Sequence, residues 1–261
     1  MIEVEKSFAS TTALILGAKL APLADYVAWL ERWLPFPMAA AKSHLSKKPV
    51  LVISHPAYAK ILGNVAGIEE ALELGKRSIA INEAETLSLA NAARALSKIS
   101  TTCPNVVFGE NFDTVDSTCY GPTQHCFRIS YSWWSKYASC CYDVRTSSHV
   151  HGCSDLDDCN FCIMCRQSSK LQRCFEVDES ANCSDCYFCH NLENCRDCMF
   201  CFNARNLKNA IGNREYPREE YLAIKKKVLE RMVEELKASR QLKMGIYSIG
   251  ALHGKKRSDC K

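Results

Sequence analysis

The stretch Cys153-Ser-Asp-Leu-Asp-Asp-Cys-Asn-Phe-Cys-Ile-Met-Cys165 decides the fold, because its cysteines recur at multiples of three residues. It aligns without gaps on Cys189-His-Asn-Leu-Glu-Asn-Cys-Arg-Asp-Cys-Met-Phe-Cys201, thirty-six residues later. No position on this every-third-residue row is charged between Val150 and Ala210, which predicts a buried interior surface. All eleven cysteines of that span lie on the row: Cys153, Cys159, Cys162, Cys165, Cys174, Cys183, Cys186, Cys189, Cys195, Cys198 and Cys201.

A period of three matches neither the 3.6-residue period of an α-helix nor the two-residue period of a strand. A long 3₁₀-helix has poor hydrogen bonds, and packed polyproline-II helices need more glycine than this segment has. The pattern therefore predicts a β-solenoid whose coils each place one residue in three inside. Half of the thirty-six-residue offset also aligns, so we expect eighteen residues per coil, while twenty-one or twenty-four would keep the phase.

The row continues upstream of Val150. Cys126 and Cys141 stay in phase, whereas Cys103, Cys119 and Cys140 do not. We therefore expect the solenoid to begin between Val106 and Cys126.

Inward thiols on stacked coils predict one of two kinds of interior. Coils about 4.8 Å apart would let thiolates of adjacent columns hold zinc or another soft metal, or an iron–sulfur cluster. Alternatively the thiols only pack, since cysteine is small and often buried. The fourth cysteine of a bacterial ferredoxin motif is missing. His149 and His151 do not lie on the inward row, so we expect both in exposed loops. The candidate metal ligands are Cys153, Cys159, Cys162, Cys165, Cys183, Cys186, Cys189, Cys195, Cys198 and Cys201.

The remaining sequence predicts an α+β protein in three parts, at residues 1–102, 103–213 and 214–261. The first is a small α-rich or α/β domain, the second the Cys-lined β-solenoid and the third a long amphipathic helix with a basic tail. In the first part we expect helices over 12–34, 68–76 and 83–99, the first either continuous or broken near Ala21-Pro22. We also expect a strand over 50–54 paired with 78–81. The last helix is predicted from Pro217 to about Lys243.

Charge and hydropathy limit the partners and the compartment. Residues 103–213 carry 9 basic and 13 acidic side chains and residues 214–261 carry 13 and 7, so nucleic acid is expected only at the basic tail. The apolar stripe of the last helix, with Tyr221 and Leu236, predicts packing on the body of the protein or a homo-oligomer seam. Tyr131 and Trp133-Trp134 suit an end cap or a docking surface for a protein partner. No secretory signal or membrane span is predicted, and the free cysteines suit the cytoplasm.

The segment from about Ser148 to Leu236 resembles uncharacterised Cys-rich repeat proteins of uncultivated bacteria and archaea. The resemblance rests on Asn206-Leu-Lys-Asn209 followed by Gly212-Asn-Arg-Glu-Tyr-Pro-Arg-Glu-Glu-Tyr221. It implies a solenoid followed by a C-terminal helix and brings no established activity. Members of that family often carry an N-terminal zinc ribbon, whereas residues 1–102 contain no cysteine.

Together these features predict a cytoplasmic, non-enzymatic Cys-rich solenoid that serves as a rigid interaction scaffold and binds zinc through its thiolates, or has a purely packed interior. One alternative is an iron–sulfur electron-transfer or redox protein. Another is a subunit of a larger assembly that docks through its aromatic and basic surfaces.

Overall fold

The computed structural model describes residues 1–168, 175–176, 186–187 and 196–249. Its first element is helix α1 (Ile2–Leu16), followed by a 3₁₀-helix (Leu23–Tyr26) and the short helix α2 (Val27–Leu30). The helical segment expected over 12–34 is therefore broken before Pro22, as the sequence allowed, and its first helix begins at Ile2 and not at Thr12. Gly17 ends α1 with a left-handed φ of 80°, and Pro22 lacks the amide hydrogen that a continuing helix would need.

Residues 37–102 form a small lobe beside the solenoid. Its hairpin pairs β1 (Met38–Lys42) with β2 (Pro49–Ile53) in antiparallel register, which confirms the strand at 50–54 but not its expected neighbour at 78–81. The helix expected from Ile68 is confirmed, whereas the one over 83–99 divides into two. Asn91 divides it, because its side-chain amide bonds the backbone of Thr86 and Ser88 and closes a turn. The four helices are α3 (Pro56–Ala59), α4 (Ile68–Leu74), α5 (Ile81–Glu85) and α6 (Ala92–Leu96).

The middle of the chain is a β-solenoid with twelve residues per coil. Parallel partners are twelve residues apart, as in Asn111 with Thr123 and Tyr142 with Ser154. The expected eighteen-residue coil is therefore wrong, although the thirty-six-residue repeat stands because it equals three coils. The first parallel bridge joins Val107 to Cys119, which places the start inside the expected range.

The period of three comes from the corners of the coil. From His125 to Met164 every third residue has a positive φ, as at Asp143 and Gly152, and the pattern returns from Asp197 to Gly212. Cys119 and Pro122 interrupt it near the start of the solenoid. Asp, Asn and Gly tolerate this left-handed conformation better than other residues, which explains their frequency there. Each three-residue step thus supplies one inward side chain, one outward side chain and one corner, and four steps complete a coil.

The inward row is the core that the sequence predicts. Its described members from Cys126 to Cys201 are essentially inaccessible to solvent. Cys119 joins them although it falls off the row by count. A register shift makes this possible, because Thr118 pairs with Ser130 but Cys119 pairs with Ser132.

The described strands of the solenoid are short and mostly parallel. They pair coil to coil, and only the last pairing is antiparallel. In chain order they are β3 (Asn111–Val115), β4 (Thr118–Cys119), β5 (Thr123–Ser132), β6 (Ser139–Arg145), β7 (Ser148–His151), β8 (Ser154–Asp157), β9 (Asn160–Ile163), β10 (Arg166–Ser168), β11 (Arg196–Met199), β12 (Lys208–Ile211) and β13 (Arg214–Glu215).

Helix α7 (Arg218–Ser239) follows the solenoid, as expected. Its buried residues Tyr221, Leu229, Val233 and Leu236 belong to the same apolar cluster as α1, so its stripe packs on the body of the protein. Among the described residues, no helix combines the length and apolar character needed to cross a membrane.

Candidate functional site

The inward thiols stand in columns, one above another on successive coils. Because coils repeat every twelve residues, Cys141, Cys153 and Cys165 share one column, and Cys159 lies in a second. A third column contains Cys162, Cys186 and Cys198. Each of these thiols is at most 1 % exposed. The structure therefore brings together the described cysteines that the sequence row predicts inside.

Most described inward thiols have a backbone carbonyl within hydrogen-bond reach, whereas Cys119 Sγ accepts from Thr123 Oγ1. Cys141 Sγ donates to the carbonyl of Ser139 at 3.0 Å, Cys159 to that of Asp157 at 3.2 Å and Cys165 to that of Ile163 at 3.4 Å. The acceptor in each case lies two residues earlier, on the far side of a corner. The thiol protons thus satisfy carbonyls that face the interior.

Inward serines make the same hydrogen bond. Ser147 Oγ donates to the carbonyl of Arg145 at 2.6 Å and Ser117 Oγ to that of Val115 at 2.7 Å. Ser135 Oγ donates to the carbonyl of Trp133 at 3.2 Å. Cysteine and serine therefore do the same structural work, which explains why both occupy the row.

Burial favours the protonated form of several of these thiols. It raises the pKa of Cys126 to about 12 and that of Cys119 to about 11, and it raises the pKa of Cys141 well above its usual range. Cys153 and Cys201 differ. Burial opposes ionisation of Cys153, but hydrogen bonds with the thiols of Cys141 and Cys165 lower its pKa well below the usual range. The hydrogen bond with Cys198 outweighs burial at Cys201 and lowers its pKa to about 7.

The predicted metal ligands divide between described and undescribed residues. Cys153, Cys159, Cys162, Cys165, Cys186, Cys198 and Cys201 line the interior, whereas Cys183, Cys189 and Cys195 lie outside the described residues. Among residues 1–168, 175–176, 186–187 and 196–249, no group of three His, Cys, Asp or Glu side chains has an arrangement that could hold a metal ion.

A second polar cluster lies between α1 and the solenoid. Ser7 Oγ is 2.9 Å from His149 Nδ1 and 3.2 Å from His151 Nε2, and His151 Nδ1 is 2.7 Å from Ser139 Oγ. His149 also stacks between Tyr137 and Phe161, with ring centroids 4.8 and 4.5 Å away. No motif in the sequence singles out Ser7, because it is one small residue on a helix.

The expected exposure of His151 is wrong. Its side chain is fully buried, since Phe8 packs edge-on against the ring at 5.4 Å, and burial lowers its pKa to about 3. Burial also lowers the pKa of His149. Ser7 is only 3 % exposed, so the arrangement holds α1 in place and offers no surface to a substrate.

We call the side of the solenoid turned away from α1 the open face. At its margin the Tyr131 hydroxyl lies 3.2 Å from the Tyr58 hydroxyl of the small lobe. The upper part of the open face carries Tyr120, Tyr131, Trp133 and Trp134; Tyr120 stacks on Tyr131 at 5.3 Å and the Trp134 side chain is 61 % exposed.

The lower part of the open face is acidic. A shallow groove of about 190 Å³ is lined there by Asp143, Arg145, Asp155, Leu156 and Asp157. Arg145 bonds Asp143 at 2.9 Å and lies over the Trp133 ring at 4.9 Å, so it links the acidic and aromatic parts.

Comparison with known proteins adds no relative. No family model matches the chain, and neither the curated proteins nor the solved structures provide a match.

Proposed function

We propose that this protein is a non-enzymatic interaction scaffold whose open face binds a basic segment of a partner protein. The observation that carries the proposal is the exposed Trp134 next to Trp133, whose ring lies under Arg145 of the acidic groove. Tryptophan, tyrosine and arginine dominate the energetics of protein interfaces, and all three occur together here.

Charge supports a basic partner. Asp143, Asp155 and Asp157 line the groove with a single arginine, so it favours lysine and arginine side chains. The aromatic rings above could pack on the alkyl stems of those side chains and on their charged groups. Since the backbone pairs from coil to coil, the surface needs little ordering when it binds.

Fluorescence anisotropy with labelled Lys/Arg-rich, neutral and Asp/Glu-rich peptides tests the proposal. We expect the basic peptide to bind best and its affinity to fall with salt. Trp134→Ala and Asp155→Asn should each weaken binding by about 1–3 kcal/mol, the usual range for interface anchors. Leu89→Ala is the matched control, because Leu89 is fully exposed in the small lobe. The proposal would be contradicted if the three peptides bound equally, or if neither variant weakened binding of the basic peptide.

Zinc or an iron–sulfur cluster held by the thiols is the second candidate. The lowered pKa of Cys201 favours it, because thiolates rather than thiols bind these metals. Elemental analysis of protein purified without oxygen, chelator or a metal-affinity tag would test it. At least one zinc or iron per chain, lost in Cys201→Ser, would support a metal site, and no stoichiometric metal would contradict it.

A further inference from the structure

The two ends of the solenoid are finished differently. At the C-terminal end, β13 runs antiparallel along β12, and side chains bond the neighbouring backbone. Asn213 bonds both the amide and the carbonyl of Phe202, at 2.9 and 2.8 Å, and Glu215 accepts from the Lys208 amide at 2.8 Å. Among the described strands, this end leaves only the two residues of β13 as a free strand edge.

At the N-terminal end, strand β3 is an edge. Within the described part of the chain it pairs with β5 on one side and with no strand on the other. Exposed edge strands readily pair with another chain, and proteins usually protect them with lysine, proline or a covering segment. The stretch from Asn105 to Gly121 contains neither lysine nor proline.

The surface around this edge is apolar at its rim and polar at its centre. Phe108 is 55 % and Phe112 65 % exposed, and Val115 is partly exposed. The inward positions of the outermost coil hold Asn111 and Thr114, and Asn111 bonds the Thr123 amide on the next coil. Within the described residues, this end therefore presents an unpaired strand edge and exposed rings.

We infer that the N-terminal edge of the solenoid binds the same edge of a second copy of this chain, head to head across a two-fold axis. Because the free edge at the other end is only two residues long, it does not match the five-residue edge of β3, so stacking does not continue head to tail and the assembly stops at a dimer. A square coil with three residues per side presents roughly 500 Å² with its side chains, or about 1,000 Å² for two copies, near the lower limit for a specific interface.

Charge gives this dimer a distinctive salt dependence. Asp113 is neutralised, because the Met1 amino group and His125 Nδ1 lie 2.6 and 3.0 Å from its carboxylate oxygens. Among the described residues, Glu110 and Asp116 form no such ion pair, and they would face their counterparts across the axis. Salt should screen that repulsion and strengthen the dimer, whereas a basic partner at this edge would bind more weakly in salt.

Sedimentation velocity of the full chain across a range of concentrations and salt tests the inference. We expect a monomer–dimer equilibrium that salt shifts toward the dimer, and at least a tenfold weaker association in Phe112→Lys. Leu89→Lys is the control, because it adds the same charge at a fully exposed site in the small lobe. It should dimerise like the unmodified chain.

Hydrogen exchange distinguishes loss of the dimer from loss of the fold. Residues 107–115 should exchange faster when the unmodified protein is diluted, while α1 and α7 stay protected in both variants. A chain that is monomeric at every concentration, a Phe112→Lys variant that dimerises normally, or dimers that dissociate in salt would overturn the inference.

Discussion

The side of the solenoid beneath α1 and the open face are built from the same outward positions of the coil, yet they differ in character. Beneath α1 these positions hold a polar pair, Ser139 and His151, followed by Ile163, Phe175, Tyr187 and Met199, all buried. On the open face they hold Trp133, Arg145 and Asp157. The geometry of the coil therefore does not determine whether an outward side chain is buried or exposed. What packs on that side decides which side chains stabilise the fold and which remain available to bind.

The largest difference in stability between the two sides is expected when a large aromatic side chain is removed from each. Phe8 is fully buried against Tyr26 and His151, so Phe8→Ala should lower the free energy of unfolding by about 3–5 kcal/mol. Trp134→Ala on the open face should change it by no more than about 0.5 kcal/mol. Chemical denaturation measures both, and equal losses would remove the distinction.

Substitution by alanine should destabilise the protein to different extents at two corner glycines. Gly152 has a φ of 72°, and a Cβ there would lie 2.8 Å from the Leu30 carbonyl oxygen, so Gly152→Ala should cost about 2–4 kcal/mol. Gly212 has a φ of 58° but open space around it, so Gly212→Ala should cost only about 1 kcal/mol. Thermal and chemical unfolding of the pair would check this, and an inverted order would show that α1 and its following segment do not lie against Gly152.

Lowering the pH should reduce the stability of the packing between α1 and the solenoid. The pKa of His151 falls from 6.5 to about 3 on folding, so between these values the unfolded chain binds the proton that the folded chain excludes. The stability contribution is present above pH 6.5 and is lost as the pH falls, by about 2 kcal/mol at pH 5.

His151→Gln should remove this pH dependence while keeping a neutral side chain in the pocket. The quantity to compare is the difference in unfolding free energy between His151→Gln and the unmodified protein, because Glu176 changes the stability of both with pH in the opposite direction. Burial raises its pKa to about 7, so its contribution is lost as the pH rises. Parallel stability curves for His151→Gln and the unmodified protein between pH 5 and 7 would contradict the account of His151.

The smallest expected effect concerns the inward wall. Cys159→Ser keeps a donor for the Asp157 carbonyl and should cost about 1 kcal/mol, whereas Cys159→Ala leaves that carbonyl unpaired and should cost more, about 2 kcal/mol. Urea denaturation of both variants measures the difference. Alanine tolerated better than serine would show that the hydrogen bond contributes little.

The sequence reveals the inward row because no charged side chain fits there, and the row with its apolar neighbours suffices to predict a solenoid. It does not fix the coil length, since twelve, eighteen and twenty-four residues all preserve the phase. The outward apolar residues Ile163, Phe175, Tyr187, Met199 and Ile211, spaced by twelve, contain that information. The burial of His151 could not be predicted, because it depends on α1, which lies far away in sequence.

The most direct test of the central claim, that the inward thiols pack the interior mainly as hydrogen-bond donors to backbone carbonyls, is the infrared S–H stretching band of the anaerobically purified protein. The account predicts strong S–H absorption shifted by hydrogen bonding to carbonyls and unchanged by a zinc chelator. Weak S–H absorption that increases when a chelator removes zinc or iron would contradict it, because the thiols would then be metal ligands.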